Sequence, residues 1–90
     1  MKDQSKQVIQ NLIKEVTENI GFVRKGLRVD EIYPTNTAII DGVRLALSVY
    51  EPDTKFLELS KLQELVSRYS SGTEQEKEKI WEQLQNIKLD

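Results

Sequence analysis

The sequence predicts an all-α protein, a single-domain antiparallel four-helix bundle over residues 1–90. Three observations predict this fold class. Apolar residues recur with helical spacing in four segments, the connections between the last three segments are short, and no strand-like alternation of useful length occurs. Ninety residues make one domain, near the lower end of the size that folds unaided, so stability must come from one well-filled core.

The first predicted helix covers about residues 4–25 and carries the clearest apolar stripe. The stripe consists of Val8, Ile9, Leu12, Ile13, Val16, Ile20, Val23 and Leu27. Gly21 and Gly26 each weaken a helix by about 1 kcal/mol relative to alanine. We therefore expect this helix to end between residues 20 and 27, with a glycine near its C-terminus.

The second predicted helix covers about residues 36–50 and follows a connection at 28–36. Pro34 is expected to keep Tyr33 out of the α region. The apolar face is wide, which predicts that this helix is the most buried one and that Tyr50 belongs to the core. Small residues recur at every fourth position and form a smooth strip that another helix can approach closely. The strip consists of Ala38, Gly42 and Ala46.

Two further helices are predicted at about residues 55–69 and 74–88. Pro52 stops the second helix and begins the turn before the third. Thr73 and Glu76 have the types and spacing of a capping box at the start of the fourth helix. The fourth helix places Trp81 on the flank of its apolar stripe. That stripe consists of Ile80, Leu84 and Ile87.

The composition argues against catalysis. The chain contains no histidine and no cysteine, which removes the commonest general base, the thiol nucleophile and the usual zinc ligands. The last helix carries an acidic side made of Glu74, Glu76, Glu78 and Glu82. Metal sites in helical bundles place their acids on inward faces, so we interpret this side as solvated. We expect a protein that is not an enzyme, with no catalytic residues, no metal and no cofactor.

Charge is distributed unevenly along the chain. Residues 1–28 carry six bases and three acids, and residues 29–90 carry seven bases and twelve acids, which together give the net charge of −2. A single modest basic cluster is a poor basis for binding nucleic acid, which needs several phosphate contacts at once. Because no segment resembles a signal peptide or a membrane span, we expect a soluble cytoplasmic chain with at most peripheral membrane contact.

Candidate partner-binding residues fall in three places, and the oligomeric state is left open. The candidates are Arg24, Lys25, Arg28, Tyr33, Glu78, Trp81 and Glu82. The basic cluster at 24–28 either complements the C-terminus of the first helix or contacts an anionic partner. Trp81 is either a core residue or an interface anchor, whereas Tyr33, beside Pro34, is the best candidate for an exposed aromatic anchor.

The order of elements resembles a known family. An amphipathic first helix opens with Lys6–Leu12, a second carries Ile39–Val43, a third covers Leu57–Tyr69, and the last spans Thr73–Ile87. This pattern is similar to the small immunity proteins that protect lactic acid bacteria against pediocin-like (class IIa) bacteriocins, the enterocin A immunity type. The likeness spans most of the chain and rests on pattern and length.

The resemblance implies a cytosolic antiparallel four-helix bundle that binds without catalysis. Its partner would be the sugar-transport permease that the bacteriocin attacks, bound from the cytosolic side so that the lethal pore is blocked. In the family the C-terminal half selects the bacteriocin, which would implicate the turn at 69–74 and the last helix with Trp81. The chain ends at Asp90, without the longer tail common in the family, so recognition through a tail is not expected.

A second hypothesis starts from the acidic surface instead. A small regulatory or inhibitory protein, of phage or host origin, would use that surface to bind a soluble enzyme or a transcription component. A pull-down from the native cytoplasm separates the two hypotheses, because a membrane permease favours immunity and a soluble enzyme favours inhibition.

Overall fold

The structure, a computed structural model, describes residues 2–26 and 32–87, apart from the side chains of residues 32–35. Four α-helices form the bundle: α1 at Asp3–Arg24, α2 at Ile32–Tyr50, α3 at Leu57–Ser71 and α4 at Glu74–Gln85. Each helix packs against the next along the chain, and the part of the chain described here contains no strand. The predicted fold class is confirmed.

Both α1 and α3 contact all three other helices, and α3 packs the more extensively, mainly against α2 and α4. The third helix contributes Leu59, Leu62, Leu65, Val66 and Tyr69 to the core. The other buried apolar residues are Ile9, Leu12, Val16, Ile20, Ile40, Leu47, Phe56, Ile80 and Leu84. Burying a large apolar side chain contributes about 1.5–3 kcal/mol, so this one continuous cluster is the main source of stability.

The start of α2 corrects the prediction of a connection at residues 28–36. The helix begins at Ile32, so Tyr33 belongs to it rather than to a loop. Pro34 is compatible with this because it lies in the first helical turn, where a backbone N–H has no intrahelical partner to lose. Asn36 lies within the helix and is buried, and its Oδ1 accepts a hydrogen bond from Asn19 Nδ2 at 3.2 Å.

The prediction that the second helix is the most buried is wrong. Between Asn36 and Tyr50, the apolar side chains that α2 buries fully are Ile40 and Leu47. Leu45 is 70% exposed, Val49 85% and Tyr50 44%, so Tyr50 is not a core residue. The physical reason is that α2 contacts α1 and α3 but not α4, so no neighbouring helix covers its outer face.

The strip of small residues on α2 is also exposed. Ala38, Gly42 and Ala46 all face solvent, and a Cβ added at Gly42 would have nothing within 4 Å. Gly42 is therefore not a packing glycine, which corrects the expectation of a close helix contact there.

The end of α1 falls within the predicted interval. The helix ends at Arg24, the amide of Lys25 donates to Gly21 O at 3.1 Å, and that of Gly26 donates to Val23 O at 3.0 Å. Gly26 has a φ of 73°, a left-handed conformation that favours glycine and is typical of a helix C-terminus. Val8, assigned to the buried stripe from the sequence, is 40% exposed.

The turn between α3 and α4 is specified by two residues. Gly72 is required because a Cβ there would lie 2.8 Å from the carbonyl oxygen of Arg68. Thr73 then forms the predicted capping box: its Oγ1 accepts from the amide of Glu76 at 3.3 Å, and its own amide donates to Glu76 Oε1 at 3.4 Å. α3 begins and ends two residues after its predicted bounds, whereas α4 begins at the predicted residue 74 and ends three residues early, at Gln85. Residues 88–90 lie outside the described residues.

One buried carboxylate joins the α2–α3 turn to the start of α1. Glu51 is 8% exposed and accepts hydrogen bonds from the Ser5 hydroxyl, from the Lys2 amide at 3.1 Å and from Thr54 Oγ1 at 3.1 Å. The Ser5 hydrogen bond is the main reason that the pKa of Glu51 is lowered, with the Lys2 amide and the Thr54 hydroxyl adding to it against the opposing effect of burial. The folded protein therefore favours the ionised form.

This carboxylate predicts a loss of stability in acid. Folding lowers the pKa of Glu51 from its ordinary value of 4.5. The ionised carboxylate therefore stabilises the folded protein fully above pH 4.5, and this stabilisation is lost as pH falls through the lower pKa of the folded state. We expect Glu51→Gln to lower the free energy of unfolding at pH 7 and to flatten its decline between about pH 5 and pH 3. Urea denaturation followed by circular dichroism across that range measures both effects. Glu82→Gln, an exposed acid on α4, is the matched control; equal pH profiles for the two variants would contradict the prediction.

The α3–α4 turn predicts a second stability effect. Gly72→Ala should lower the free energy of unfolding by about 1–3 kcal/mol, because the new methyl group overlaps the Arg68 carbonyl and the turn must shift. Ser70→Ala, two residues earlier at an exposed position, should stay within about 0.5 kcal/mol of wild type. Urea denaturation at neutral pH compares them, and a neutral Gly72→Ala variant would show that the turn does not need glycine.

Candidate functional site

A groove lies between the C-terminal half of α1 and the middle of α4. Its volume is about 370 Å³. It is lined by Thr17, Glu18, Gly21, Phe22, Arg24, Lys25 and Trp81. Apart from Lys25, which directly follows the end of α1, the lining residues belong to two packed helices, so the groove is held mainly by the bundle itself.

Gly21 makes room for Trp81 in this groove. A Cβ at Gly21 would lie 3.2 Å from Cη2 of the indole, closer than ordinary van der Waals contact. Glycine in a helix costs about 1 kcal/mol relative to alanine, and here it allows the indole to approach the α1 backbone. Trp81 is partly buried against the core and also forms part of the groove wall, so it is neither a fully buried core residue nor a fully exposed one.

Arg24 connects α1 to both α3 and α4. Its Nη2 donates to Glu78 Oε1 at 2.6 Å, its Nη1 donates to the Tyr69 hydroxyl at 3.3 Å, and its Cζ lies 5.0 Å from the centre of the Trp81 ring. The pKa of Arg24 is raised, first by the hydrogen bond to Glu78 and then by the one to Tyr69. An arginine is already charged throughout the physiological range, so these contacts serve to fix the guanidinium in place over the indole.

The structure brings together several of the residues proposed from the sequence. Arg24, Lys25 and Trp81 line the groove, and Glu78 lies at its edge through the ion pair with Arg24. Glu82 is exposed on α4 and does not line the groove. The side chain of Tyr33 and the whole of Arg28 lie outside the described residues.

Sequence reasoning missed part of the groove. Phe22, which is 40% exposed, and Glu18 both line the groove, and neither was among the candidate binding residues. Phe22 could have indicated the groove, because it is a large aromatic residue that lies outside the apolar stripe of its helix. Gly21 was interpreted only as a helix-ending residue, and nothing local indicated that Trp81, sixty residues later, would lie over it.

Three of the four acids of α4 have structural partners on the same chain. Glu76 belongs to the capping box, Glu78 pairs with Arg24, and a carboxylate oxygen of Glu74 lies 4.0 Å from Lys77 Nζ. Within the described residues, no group of three or more acids is placed to hold a metal ion. The groove instead combines apolar ring surface with fixed charges, an arrangement suited to binding an amphipathic segment of another molecule.

Comparisons with protein-family models, curated proteins and solved structures found no significant match to this chain. Within residues 2–26 and 32–87, each helix is too short or too polar to cross a membrane.

We expect substitution by alanine to have different effects at Gly21, which lies in the groove against Trp81, and at Gly42, which has no neighbour. Gly42→Ala should raise the free energy of unfolding by about 0.5–1 kcal/mol, because the new methyl group meets no neighbour. Gly21→Ala gains the same helix propensity but must push the Trp81 ring outward, so its gain should be smaller.

Fluorescence and denaturation at low protein concentration test this pair. Trp81 is the one tryptophan in the chain, so its emission reports directly on the groove. We expect a shift in emission for Gly21→Ala and none for Gly42→Ala. Identical spectra together with equal gains in stability would contradict the close contact between Gly21 and Trp81.

Proposed function

We propose that this chain is a non-catalytic binding protein whose partner site is the groove between α1 and α4. The observation that carries the proposal is the placement of Phe22 and Trp81 beside Arg24 and Lys25, on two packed helices and the residue that follows α1. Tryptophan and arginine dominate the binding energy of protein interfaces, and anchors that are already held in place lose little freedom on binding.

We further propose that the bound partner is a membrane permease attacked by a pediocin-like bacteriocin, and that binding from the cytosolic side gives the producer cell immunity. The four-helix bundle is the fold that the resemblance implies. The groove includes α4 and Trp81, in the C-terminal half that the resemblance connects with bacteriocin selection. Binding through the acidic side of α4 is less favoured, because Glu76 and Glu78 already have partners on the same chain.

The direct test is survival of a bacteriocin-sensitive strain that expresses the chain. Wild type should raise survival against at least one member of a panel of pediocin-like peptides. Lys25→Glu should reduce that protection at least about tenfold, because it reverses an exposed charge at the groove without disturbing the core. The matched control is Lys79→Glu, the same charge reversal at an exposed position on α4 that does not line the groove.

The possible outcomes separate the two parts of the proposal. No gain in survival against any peptide would reject immunity. Protection that is equal in the two lysine variants, at equal protein levels, would keep immunity but reject the groove as its site. A pull-down that recovers a soluble enzyme instead of a permease would support the inhibitory hypothesis.

A further inference from the structure

A second cavity lies between the C-terminal part of α2 and the start of α3, away from the groove. Its volume is about 320 Å³, within the range of about 300–1,000 Å³ that is usual for small-molecule sites. The described residues that line it include two bases, Arg44 and Lys55, and no acid. Hydroxyl side chains accompany the bases, from Ser48, Thr54 and Ser60. We call this the α2–α3 cavity.

The guanidinium of Arg44 is held in this cavity without a counter-charge. Arg44 is half-buried, and it donates to Ser60 Oγ at 3.3 Å and to Gln63 Oε1 at 3.1 Å, both of which are neutral acceptors on α3. The ion pairs formed among residues 2–26 and 32–87 involve neither Arg44 nor Lys55. A charge that is partly withdrawn from water is normally paired, so the fixed charge of Arg44 favours an anion from outside the chain.

The cavity also has hydrogen-bond donors left for an anion. A guanidinium has five N–H groups, and two hydrogen bonds hold that of Arg44, while the exposed ammonium of Lys55 has three donors. Ser60 Oγ accepts from Arg44, which leaves its own proton to donate. Ser48 and Thr54 already donate, to the backbone oxygen of Arg44 at 2.6 Å and to the buried carboxylate at 3.1 Å. The free donors are therefore mainly those that carry positive charge.

The end of α3 adds to this positive potential. Phe56, the N-cap residue, makes no side-chain hydrogen bond to the first-turn amides, so the partial positive charge at that end is not offset by a cap. Glu58 lies in the same turn and opposes the effect, but it does not line the cavity. The two bases carry the argument, and the helix end strengthens it.

We propose that the α2–α3 cavity binds a small phosphorylated molecule, with the phosphate held by Arg44, Lys55 and Ser60. The planar fork of arginine matches the oxygens of a phosphate, and lysine supplies a second, compact charge. The group attached to the phosphate would lie against Phe56 and Leu57, the apolar part of the lining. This inference does not depend on the proposed immunity function or on the groove.

NMR titration of the ¹⁵N-labelled chain with three probes tests the site and its chemistry. The probes are inorganic phosphate, phenyl phosphate and acetate, at constant ionic strength and about pH 7.5, where a phosphomonoester is dianionic. We expect saturable shifts in the amides of residues 54–60, with a Kd for inorganic phosphate on the order of 1–10 mM. Phenyl phosphate should bind at least about threefold more tightly through its ring. Acetate should bind at least about fivefold more weakly than phosphate, because it has one charge and two oxygens.

Variants of the two bases locate the site. Lys55→Gln and Arg44→Gln should each raise the Kd for phenyl phosphate at least about fivefold. The matched control is Lys79→Gln, an exposed lysine on α4 that does not line the cavity, and its Kd should equal that of wild type. Circular dichroism confirms folding, and Lys55→Gln decides the matter if loss of the Arg44 contacts to α3 unfolds the other variant.

Three results would overturn the proposal. The first is the absence of saturable shifts with either phosphate. The second is an equal Kd in wild type and Lys55→Gln, which would place the anion elsewhere. The third is acetate that binds as tightly as phosphate, which would assign the cavity to a carboxylate instead.

Discussion

The packing of α3 against the other three helices is the constraint on which the rest of the structure depends. A 90-residue chain has one core, and the buried stripe from Leu59 to Tyr69 is at its centre. α1, α2 and α4 each bury one side against that centre, and within the described residues α2 and α4 do not touch. Every other surface of the bundle, including the groove and the exposed outer face of α2, is what this arrangement leaves uncovered.

The groove follows from how α4 is attached to this centre. Gly72 and the Thr73 capping box fix the direction in which α4 leaves α3, and that direction places Trp81 over Gly21 of α1. Arg24 then joins the three helices through Glu78, Tyr69 and the indole. The ion pair is partly exposed and contributes at most about 1 kcal/mol, so its main effect is to hold the groove in one shape.

The sequence predicted those features that depend on periodicity or on local chemistry. The stripes of α1, α3 and α4, the Thr73 capping box and the end of α1 all follow from residue types at short spacing. The burial of α2 could not be predicted in this way, because a wide apolar face shows that a helix is apolar without showing how many neighbours cover it. The candidate site was predictable only in part: Arg24 and Trp81 stand out by residue type, whereas the pairing of Arg24 with Glu78 joins residues 54 positions apart. Sequence spacing carries no information about a contact of that kind.

The groove and the exposed face of α2 are separate consequences of the same packing. α2 contacts α1 and α3, whereas the groove is lined by the second half of α1, by Lys25 and by Trp81 of α4. Within the described residues α2 and α4 do not touch, so a change on the outer face of α2 has no direct route to the indole. A surface exchange there alters the helix itself, through its propensity, whereas an exchange at Gly21 meets Trp81 directly. The shape of the groove therefore depends on how α4 is held against α1 and α3, and not on what the outer face of α2 carries.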